Sequence, residues 1–452
     1  MLCVTLTPGS IEEVFSSDLS GADCVEVRLD YLKNPRQSLD VSWTKLGIPM
    51  IATCRREERG GRFRGLLQDE VAILEAAARN GASFADMDYR DARPIAGTRI
   101  IASYHNFERT PSDIEQHLGG AAAAPAHIAK IATTVRSWDD NRRLLQILSR
   151  PWPRPVIVVG MGELGQITRI VGPSRGSFLT YATTRQPSGE PSAAGQISAR
   201  EMLDVLRFRH IRRSTTLTGV LGNPVEYSLS PQIHNHAFAA AGLDFVYLRF
   251  PATDVADFFQ NADAIGIHGI SITIPHKIAA IPFMSALTPA ARNVGAVNTA
   301  VRTDDGWLGD NTDVYGVHAA FASVGFSATD KSIVILGKGG AARAAVAATR
   351  SAKSVVLMSR ADMRDVQRHA CDLLINATPV GMYPFEDSSP LDGPIPGGVV
   401  FDMVYNPPMT KLLRTAASQG KKIISGTTMF VAQAARQFEI WTGQRTPTGA
   451  YR

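Results

Sequence analysis

The chain has 452 residues, which is too long for one hydrophobic core and predicts two or three domains. Hydrophobic residues make up 44% and charged residues 20% of the chain, as is usual for a globular protein. The net charge of +5 is small and no long basic run stands behind it, so we expect no nucleic-acid partner. No apolar stretch reaches the ~18 residues of a membrane span, so we expect no membrane partner either.

The cysteines favour a reducing compartment. Cys3, Cys24, Cys54 and Cys371 lie in apolar, strand-like runs, and no Cys-x-x-Cys pair occurs. This pattern is typical of buried, reduced thiols. Met1 also leads directly into the apolar run Leu2–Leu6, without a basic or Ser/Arg-rich leader. We therefore expect a cytoplasmic location.

Up to about residue 210, short apolar runs recur at intervals that suit strand–helix units. The eight runs are Cys3–Thr7, Cys24–Leu29, Pro49–Cys54, Ser83–Asp88, Arg99–Tyr104, Ile128–Thr133, Pro155–Met161 and Phe178–Ala182. Amphipathic stretches such as Leu66–Arg79 lie between them. Eight parallel strands with intervening helices predict an α/β fold, a compact (β/α)8 TIM barrel over residues 1–210.

Polar residues follow the C-terminal ends of these runs, where the active site of a barrel forms. They are Glu26, Arg28, Arg55, Asp86, Asp88, His105 and Lys130, then Arg169 after the seventh run, and Ser192 and Gln196 after the eighth. Lys130 stands in an apolar run, where desolvation would free its amine to attack a carbonyl. The alternative is a lysine that extends from the strand end into water.

His105 ends the preceding run and is therefore expected beside Lys130, where it would move protons near neutral pH. Glu26 is expected to orient this histidine. The arginines Arg28, Arg55 and Arg169 suit a carboxylate and hydroxyl groups.

These motifs resemble type I 3-dehydroquinate dehydratase over about residues 1–210. The matching segments are Glu26-Val-Arg28, Thr53-Cys-Arg55, Ser103-Tyr-His-Asn-Phe107, Lys130-Ile-Ala, the run from Met161 to Arg169, and Ser192-Ala-Ala-Gly-Gln196. The resemblance implies that Lys130 forms a Schiff base with the C3 ketone of 3-dehydroquinate. It implies that His105 takes the C2 proton and returns it to the departing C1 hydroxyl. It also implies that Arg169 binds the substrate carboxylate, with Ser192 and Gln196 on a loop that closes over the ring.

One position departs from the family. Arg59 stands before Gly60-Gly61, where the family usually has glutamate. Glu57 and Glu58 stand just upstream as candidates to replace it through a shifted loop, and Glu26 remains as an acidic partner for the histidine.

A different pattern begins after the basic bridge at residues 207–213. The strand Leu217–Leu221, a helix at His234–Ala241 and the strands Phe245–Phe250 and His268–Ile274 predict a substrate-binding domain over residues 217–320. The strand Ser332–Leu336, a glycine-rich turn, a helix and the strand Ser354–Met358 predict a Rossmann βαβ unit over residues 321–426. Residues 427–452 are expected to return as a helical segment to the substrate-binding domain.

The glycine-rich turn is expected to bind a pyrophosphate at a helix N-terminus. It contains Gly337, Gly339, Gly340, Ala341 and Ala342, although a turn without a ligand is the alternative. After the next strand, Ser359 and Arg360, followed by Arg364, favour a 2′-phosphate and hence NADP(H), although Asp362 stands close. His234 and His236 are two residues apart and would not face one site, so we expect no metal.

The second half resembles the shikimate dehydrogenase family over about residues 217–452. The matching segments are Ser228-Leu-Ser230, Thr273-Ile-Pro-His-Lys277, Gly295–Thr299, Gly309–Asp313, Asn376–Met382, Asp402–Tyr405 and Met429–Gln433. The resemblance implies that Lys277 and Asp313 are the catalytic pair. It further implies that substrate is held by Ser228, Ser230, Thr273, Asn298, Tyr405 and Gln433, and that Thr378, Met403 and Gly426 lie along the nicotinamide.

A second departure is the short segment after the arginine motif. Only a helix, expected at Asp362–Ala370, separates it from the strand Asp372–Asn376, so we expect a cofactor sheet that is one strand smaller than usual.

Together the two halves predict a bifunctional enzyme. The barrel would dehydrate 3-dehydroquinate to 3-dehydroshikimate, and the second half would reduce that product to shikimate with NADPH. Two alternatives remain: a fusion that oxidises quinate or shikimate, and a ligand-sensing regulator without catalysis. The presence of Lys130, His105, Lys277 and Asp313 argues against the regulator, as does the lack of a DNA-binding module.

Overall fold

The computed structural model describes residues 1–36, 40–184, 194–359 and 362–451, without the side chains of Met363 and Arg364. The chain divides into two compact units. The first comprises Met1–Thr216, Asp244–Leu248 and Asp257–Gly266, and the second Leu217–Leu243, Arg249–Ala256 and Ile267–Arg452. Within the described ranges, every helix is too short or too polar to cross a lipid bilayer.

The first unit contains an eight-stranded parallel barrel. Its strands are β1 (Leu2–Leu6), β2 (Cys24–Arg28), β3 (Met50–Thr53), β4 (Phe84–Asp88), β5 (Arg99–Asn106), β6 (Ile128–Thr134), β7 (Val156–Met161) and β8 (Thr180–Ala182). They pair in the order β7-β6-β5-β4-β3-β2-β1-β8, and an isolated bridge joins Val156 of β7 to Ser177 ahead of β8. The predicted barrel is confirmed.

Among the described residues up to Thr216, the α-helices are α1 (Ile11–Ser16), α2 (Leu67–Arg79), α3 (Ile114–Ala123), α4 (Trp138–Ile147) and α5 (Gln166–Val171). The N-terminus of α4 is capped by the Ser137 side chain, which accepts from the Asp140 backbone N–H. Such a cap satisfies one of the N–H groups that the first helical turn leaves free.

The barrel interior has an apolar layer below a polar one. Side chains two residues apart on a strand point to the same face. The lower layer includes Cys3, Cys24, Ile51, Phe84, Ile101 and Ile128. Two residues further along the same strands stand Thr5, Glu26, Thr53, Asp86, Ser103 and Lys130, all buried. Each of these strands therefore contributes one apolar side chain to the lower layer and, two residues further along, one polar side chain to a ring above it.

His105 lies inside a strand and not after it. The sequence predicted that this strand ends at Tyr104, but β5 continues to Asn106 because β6 extends to Thr134 and supplies pairing partners. His105 is in register with Ala132, and Ser103 with Lys130. The histidine thus occupies the interior layer directly above that of Lys130.

Two further sheets lie outside the barrel. The first has the order β10-β9-β11-β13-β14-β12. Its strands are β9 (Thr216–Gly222), β10 (Phe245–Pro251), β11 (Ile267–Ile272), β12 (Ala286–Leu287), β13 (Thr299–Thr303) and β14 (Gly306–Asp310). Strand β11 runs parallel to β9 and antiparallel to β13, so this sheet is mixed.

The second sheet is parallel and has the order β16-β15-β17-β18-β19. Its strands are β15 (Ser332–Leu336), β16 (Ser354–Met358), β17 (Leu373–Asn376), β18 (Val399–Asp402) and β19 (Lys422–Ser425). In place of the predicted helix Asp362–Ala370, the structure has a 3-10 segment, Asp362–Arg368, and the described residues between β16 and β17 form no strand.

The remaining helices are α6 (Ser230–Ala240), α7 (Val255–Ile265), α8 (Pro289–Val294), α9 (Asp313–Ser323), α10 (Gly340–Ala348), α11 (Lys411–Ser418) and α12 (Gly426–Thr442). Helix α6 begins at Ser230, four residues before the predicted start. A core on one face of the parallel sheet joins α9 and α10 to β15, β17 and β18 through residues such as Phe321, Ala342 and Phe401.

All four cysteines are free thiols. Cys3, Cys24 and Cys54 are fully buried, and Cys371 is partly exposed.

Candidate active sites

Lys130 projects into the barrel and is only 4% exposed. Its Nζ donates to Asp86 Oδ2 at 2.8 Å and lies 3.8 Å from Glu26 Oε1. The same nitrogen lies 4.4 Å from the centroid of the Tyr181 ring. The alternative of a lysine extended into water is therefore wrong.

Asp86 is the centre of the charged network around this lysine. Its Oδ1 accepts from Arg55 Nη2 at 3.0 Å and from Ser103 Oγ at 2.8 Å. Burial raises the pKa of the Asp86 carboxyl, but the charges of Lys130 and Arg55 reverse this effect, and the pKa lies well below its ordinary value. Sequence analysis gave Asp86 no role. The sequence nevertheless indicates that Asp86 faces the barrel interior, because it stands two residues before Asp88 and this spacing puts both side chains on the same face of the strand.

Glu26 contacts Lys130 and not His105. Its carboxylate accepts from Thr53 Oγ1 at 2.8 Å and from Thr5 Oγ1 at 3.2 Å. Both partners lie on neighbouring strands, β1 and β3, and they hold Glu26 beneath the lysine. The expectation that Glu26 orients the histidine is therefore corrected.

His105 is partly buried, and its imidazole has no hydrogen-bond partner in the part of the chain that the structure describes. Burial lowers the pKa of His105 well below its ordinary value, and the charges of Arg55 and Lys130 lower it further, with Asp86 acting in the opposite direction. A neutral imidazole at neutral pH is suited to accept a proton.

The loop after β3 brings arginine close to acidic residues. Arg59 Nε lies 3.7 Å from Asp88 Oδ2, and its Nη2 lies 3.5 Å from Asp91 Oδ2. Glu57 pairs with Arg64 and Glu58 with Arg56, so neither glutamate replaces the missing acid beside the histidine.

The three predicted arginines differ in how they are paired. Arg28 donates from Nε and Nη2 to Asp30 at 2.9 and 2.7 Å, and Arg55 donates to Asp86. Arg169, in α5, is 1% exposed, and its Nε and Nη2 find no partner among the described residues. Burial lowers the pKa of Arg169 to about 10. A buried guanidinium with free N–H groups is suited to a carboxylate ligand.

The loop that carries Gln196 lies against the turn after β7, because the Gly162 N–H donates to the Ala194 carbonyl at 2.9 Å. Gln196 is partly buried. Ser192 lies outside the described residues.

In the second unit, Lys277 and Asp313 form the predicted pair. Lys277 Nζ donates to Asp313 Oδ2 at 2.5 Å, and Asn298 Nδ2 donates to the other carboxylate oxygen at 2.8 Å. The Asn298 amide oxygen accepts from the Thr312 N–H at 2.8 Å. Asn298 thus fixes the start of α9, and with it the carboxylate that faces the lysine.

Five of the six predicted substrate residues of this unit fall into two groups, and Thr273 belongs to neither. Ser228 hydrogen-bonds the Tyr405 hydroxyl and accepts from the Ser230 N–H at 3.3 Å. Gln433 Oε1 accepts from Thr312 Oγ1 at 3.4 Å, next to the Asn298–Asp313 group. Thr273 follows β11 and is partly buried, with its N–H bound to the Leu221 carbonyl at 2.9 Å.

The glycine-rich turn after β15 fits a dinucleotide. Gly337 has a φ of 115°, which only glycine adopts without strain. A Cβ at Gly339 would meet open space, whereas one at Gly340 would lie 2.9 Å from Lys277 Cδ. The turn therefore lies against Lys277, and the free N–H groups of α10 suit a pyrophosphate. Ala342 is fully buried in the core and Ala341 is partly buried, so these two pack the helix against the sheet.

The strand ends at the predicted nicotinamide side are linked by polar contacts. Asn376 Oδ1 accepts from Thr378 Oγ1 at 2.7 Å, and the Met403 N–H donates to the Asn376 carbonyl at 2.9 Å. A Cβ at Gly426 would lie 2.6 Å from the Met403 carbonyl oxygen, so the start of α12 closes on this edge.

Asp402 was missed by sequence reasoning. Its carboxylate accepts from Asn376 Nδ2 at 2.9 Å and from Thr410 Oγ1 at 2.6 Å, and burial raises its pKa to about 6.

The residues predicted to select the cofactor are only partly described. Ser359 donates from its N–H and its hydroxyl to Asp362 Oδ2, at 2.8 and 2.5 Å. Arg360 lies outside the described residues, and the side chain of Arg364 is not described. No group of three or more His, Cys, Asp or Glu side chains with the arrangement of a metal site occurs in the described part of the chain.

Family models match both halves of the chain. The model for type I 3-dehydroquinase matches residues 2–213, that for the shikimate dehydrogenase substrate binding domain matches residues 220–300, and that for the shikimate 5′-dehydrogenase C-terminal domain matches residues 426–450.

Relatives match the same regions. The chloroplastic bifunctional 3-dehydroquinate dehydratase/shikimate dehydrogenase of Arabidopsis thaliana is 33% identical over 505 residues, which cover 100% of this chain and 83% of that protein. A shikimate dehydrogenase (NADP(+)) of Microcystis aeruginosa is 39% identical, with coverage of 54% and 96%. A solved shikimate 5-dehydrogenase of Thermus thermophilus, in complex with NADP(H) and shikimate, is 30% identical, with coverage of 52% and 97% and a TM-score of 0.47.

These relatives give no support to a quinate-oxidising fusion or to a sensing regulator. Because the similarity to the Arabidopsis protein extends over the whole chain, the chain belongs to the family of bifunctional 3-dehydroquinate dehydratase/shikimate dehydrogenases.

Proposed function

We propose that the chain catalyses two successive reactions. The barrel dehydrates 3-dehydroquinate to 3-dehydroshikimate, and the second unit reduces that product to shikimate with NADPH. The observation that carries this proposal is a lysine–aspartate pair in each half, Lys130–Asp86 and Lys277–Asp313, in a chain similar throughout to a bifunctional relative.

In the barrel, Lys130 is the nucleophile and His105 the base. The Lys130 amine attacks the C3 ketone, and loss of water leaves an iminium that draws electrons from the adjacent C2. The neutral imidazole takes the C2 proton and delivers it to the C1 hydroxyl, which departs as water. Hydrolysis of the imine then releases the enone and restores the lysine.

The substrate is held by the remaining polar groups of the barrel. The free N–H groups of Arg169 support its assignment to the carboxylate. Arg28 and Arg55 each give part of their guanidinium to an aspartate and keep further N–H groups for substrate hydroxyls. Glu26 is assigned to substrate binding next to the lysine, and Ser192 and Gln196 to the loop over the ring.

In the second unit, Lys277 is the proton donor. Bound NADPH supplies the hydride that converts the ketone to an alcohol. The Lys277 ammonium stabilises the negative charge that develops on the oxygen and donates the proton. Asp313 holds this ammonium, and Asn298 holds the aspartate. We assign Ser228, Ser230, Thr273, Asn298, Tyr405 and Gln433 to the substrate.

The cofactor proposed is NADP(H). Gly337, Gly339 and Gly340 are assigned to the pyrophosphate, and Thr378, Met403 and Gly426 to the nicotinamide side. Ser359, Arg360 and Arg364 are assigned to the 2′-phosphate, in agreement with relatives named for NADP(+).

We further propose the domain limits 1–210, 217–320, 321–426 and 427–452, and a cytoplasmic location. The location is supported by four free thiols. Fluorescence microscopy of the tagged chain in its own cells tests the location; signal confined to an organelle would contradict it.

The test of function supplies the purified chain with 3-dehydroquinate and NADPH and follows NADPH absorbance. The unchanged chain should consume NADPH. Lys130→Ala should consume none from 3-dehydroquinate but should still consume it from 3-dehydroshikimate. Lys277→Ala should consume none from either compound but should still form the enone. Consumption by Lys130→Ala from 3-dehydroquinate at the unchanged rate would reject the barrel assignment.

Borohydride gives a direct test of the covalent step. Reduction in the presence of 3-dehydroquinate should leave a covalent adduct on Lys130 of the unchanged chain and none on Lys130→Ala. An adduct of equal yield in the variant would show that another amine forms the imine.

A further inference from the structure

The barrel interior holds a second buried donor without a partner, the Tyr181 hydroxyl. Tyr181 lies in β8, is 4% exposed, and its hydroxyl finds no hydrogen-bond partner in the described ranges. The residue is in register with Cys3 of β1 and belongs to the interior cluster, so its side chain faces the barrel axis. A buried hydroxyl without a partner is costly, and its retention calls for a ligand that completes it.

Tyr181 lies between the two groups that the proposed reaction needs. The Nζ of Lys130 is 4.4 Å from the ring centroid, close enough for a cation–π contact. Helix α5, which carries Arg169, contacts β8, and Tyr181 is the titratable group close enough to Arg169 to raise its pKa against the effect of burial. The ring therefore faces the nucleophile, while the hydroxyl shares the surroundings of the arginine.

The hydroxyl is a donor at neutral pH. Burial raises the pKa of Tyr181 well above its ordinary value, and the negative charges of Glu26 and Asp86 add to this. A protonated phenol keeps its hydrogen available for an acceptor on a ligand.

In the described part of the barrel interior the carboxylate acceptors are already paired, whereas the donors of Arg169 and Tyr181 are not. Around Lys130, the carboxylates of Glu26 and Asp86 already accept from neighbouring side chains. The free groups at Arg169 and Tyr181 are donors. A ligand group that satisfies several donors and brings no hydrogen of its own is a carboxylate, which has about four acceptor positions.

We propose that the Tyr181 hydroxyl donates a hydrogen bond to the substrate carboxylate that Arg169 holds, and that Tyr181 is therefore a specificity-determining residue of the dehydratase. The inference rests on the proposed dehydratase function. It assigns the tyrosine to binding and leaves the proton transfers to His105.

The test is Tyr181→Phe, which removes the oxygen and keeps the ring beneath the lysine. A hydrogen bond to a charged group contributes enough that its loss should raise the KM for 3-dehydroquinate by about 10-fold. The kcat should change by less than about 3-fold, because the reacting groups are untouched. Tyr89→Phe is the matched control, since the Tyr89 hydroxyl already contacts His117 Nδ1 at 3.3 Å and lies away from the lysine network. Its KM should stay unchanged.

A double substitution separates a shared ligand from two independent effects. If Tyr181 and Arg169 bind one carboxylate, Tyr181→Phe combined with Arg169→Lys should raise the KM by less than the product of the single effects. The reduction of 3-dehydroshikimate by the same variants should be unchanged, which shows that the second unit is intact. Borohydride trapping at saturating 3-dehydroquinate should still mark Lys130 in Tyr181→Phe.

Three results would overturn the inference: a KM for Tyr181→Phe within about 2-fold of the unchanged chain, a fall in kcat without a rise in KM, or effects that multiply fully in the double variant. Failure of the proposed function would look different, because the unchanged chain would then form no enone and no borohydride adduct from 3-dehydroquinate.

Discussion

Replacing Arg169 with methionine should stabilise the barrel in the absence of substrate. Arg169 is fully buried, and burial lowers its pKa from the ordinary arginine value to about 10. A reduction of between two and three pKa units corresponds to about 3 kcal/mol against the charged form. Because the folded-state pKa is lower than the unfolded one, this cost is fully present below pH 10 and is relieved only as the pH rises above it.

Methionine fills a similar volume without a charge. We therefore expect the free energy of unfolding to rise by about 2 kcal/mol at neutral pH, after some loss of packing. The affinity for 3-dehydroquinate should fall. The KM for 3-dehydroquinate should rise by at least about 100-fold, because a buried carboxylate would lose its charged partner.

Arg28→Met is the matched control, since Arg28 is also a buried arginine of the barrel. It donates twice to Asp30, at 2.9 and 2.7 Å. Its removal leaves a buried carboxylate without its counter-ion, which costs about 3–5 kcal/mol. Both variants replace a buried arginine with methionine, but Arg169→Met should raise the free energy of unfolding and Arg28→Met should lower it.

Urea unfolding followed by hydrogen exchange of peptides from the barrel strands measures these effects separately from the second unit. The reasoning is refuted if Arg169→Met unfolds at a lower urea concentration than the unchanged chain. It is refuted equally if the variant keeps the unchanged KM.

Further predictions concern both active sites. The fall of the dehydratase kcat/KM at acid pH should begin below pH 6.5. Burial lowers the pKa of His105, so the imidazole stays neutral and able to accept a proton down to that lowered pKa. A fall centred at or above pH 6.5 would contradict this. Asn298→Leu should lower the dehydrogenase kcat by about 10- to 100-fold, because Asp313 loses a hydrogen bond, while enone formation by the same chain continues; equal losses in both assays would argue against it. Gly340→Ala should raise the KM for NADPH by about 10-fold or more, since the added Cβ would lie 2.9 Å from Lys277 Cδ and displace the turn; an unchanged KM would rule this out.

The barrel could be predicted from sequence because its strands are buried on both faces and read as apolar runs. The runs at Cys24, Ser83 and Ile128 agree with β2, β4 and β6 to within one residue at each end. The end of β5 was missed because the polar residues His105 and Asn106 look like a loop. Only the length of the neighbouring strand shows that the pairing continues.

The partners inside the barrel could not be predicted in the same way. Chain order indicates which residues stand at strand ends, but the layer each side chain occupies depends on the stagger between strands. That stagger puts Asp86 and Glu26 beside Lys130 and leaves His105 one layer higher.

In the second unit the Lys277–Asp313 pair could be predicted from a motif, but the strands around it could not. Strands β12, β13 and β14 are short and partly polar, and β12 has only two residues. Their sequences carry little of the alternation that marks a longer strand. The polar link between Asn376 and Asp402 was also missed, because it joins adjacent strands across 26 positions of the chain.

The distribution of the cysteines makes the native chain suitable for selective labelling. Three of the four sulfurs are sealed inside the barrel strands or directly after them, so a maleimide dye should attach only at Cys371, next to β17. Burial raises the pKa of this thiol to about 11, and attachment should therefore be slow at neutral pH and faster in alkaline buffer. A fluorophore at that position would label the parallel sheet at the ends of its strands opposite the glycine-rich turn, without any engineered residue and without modifying Lys130 or Lys277.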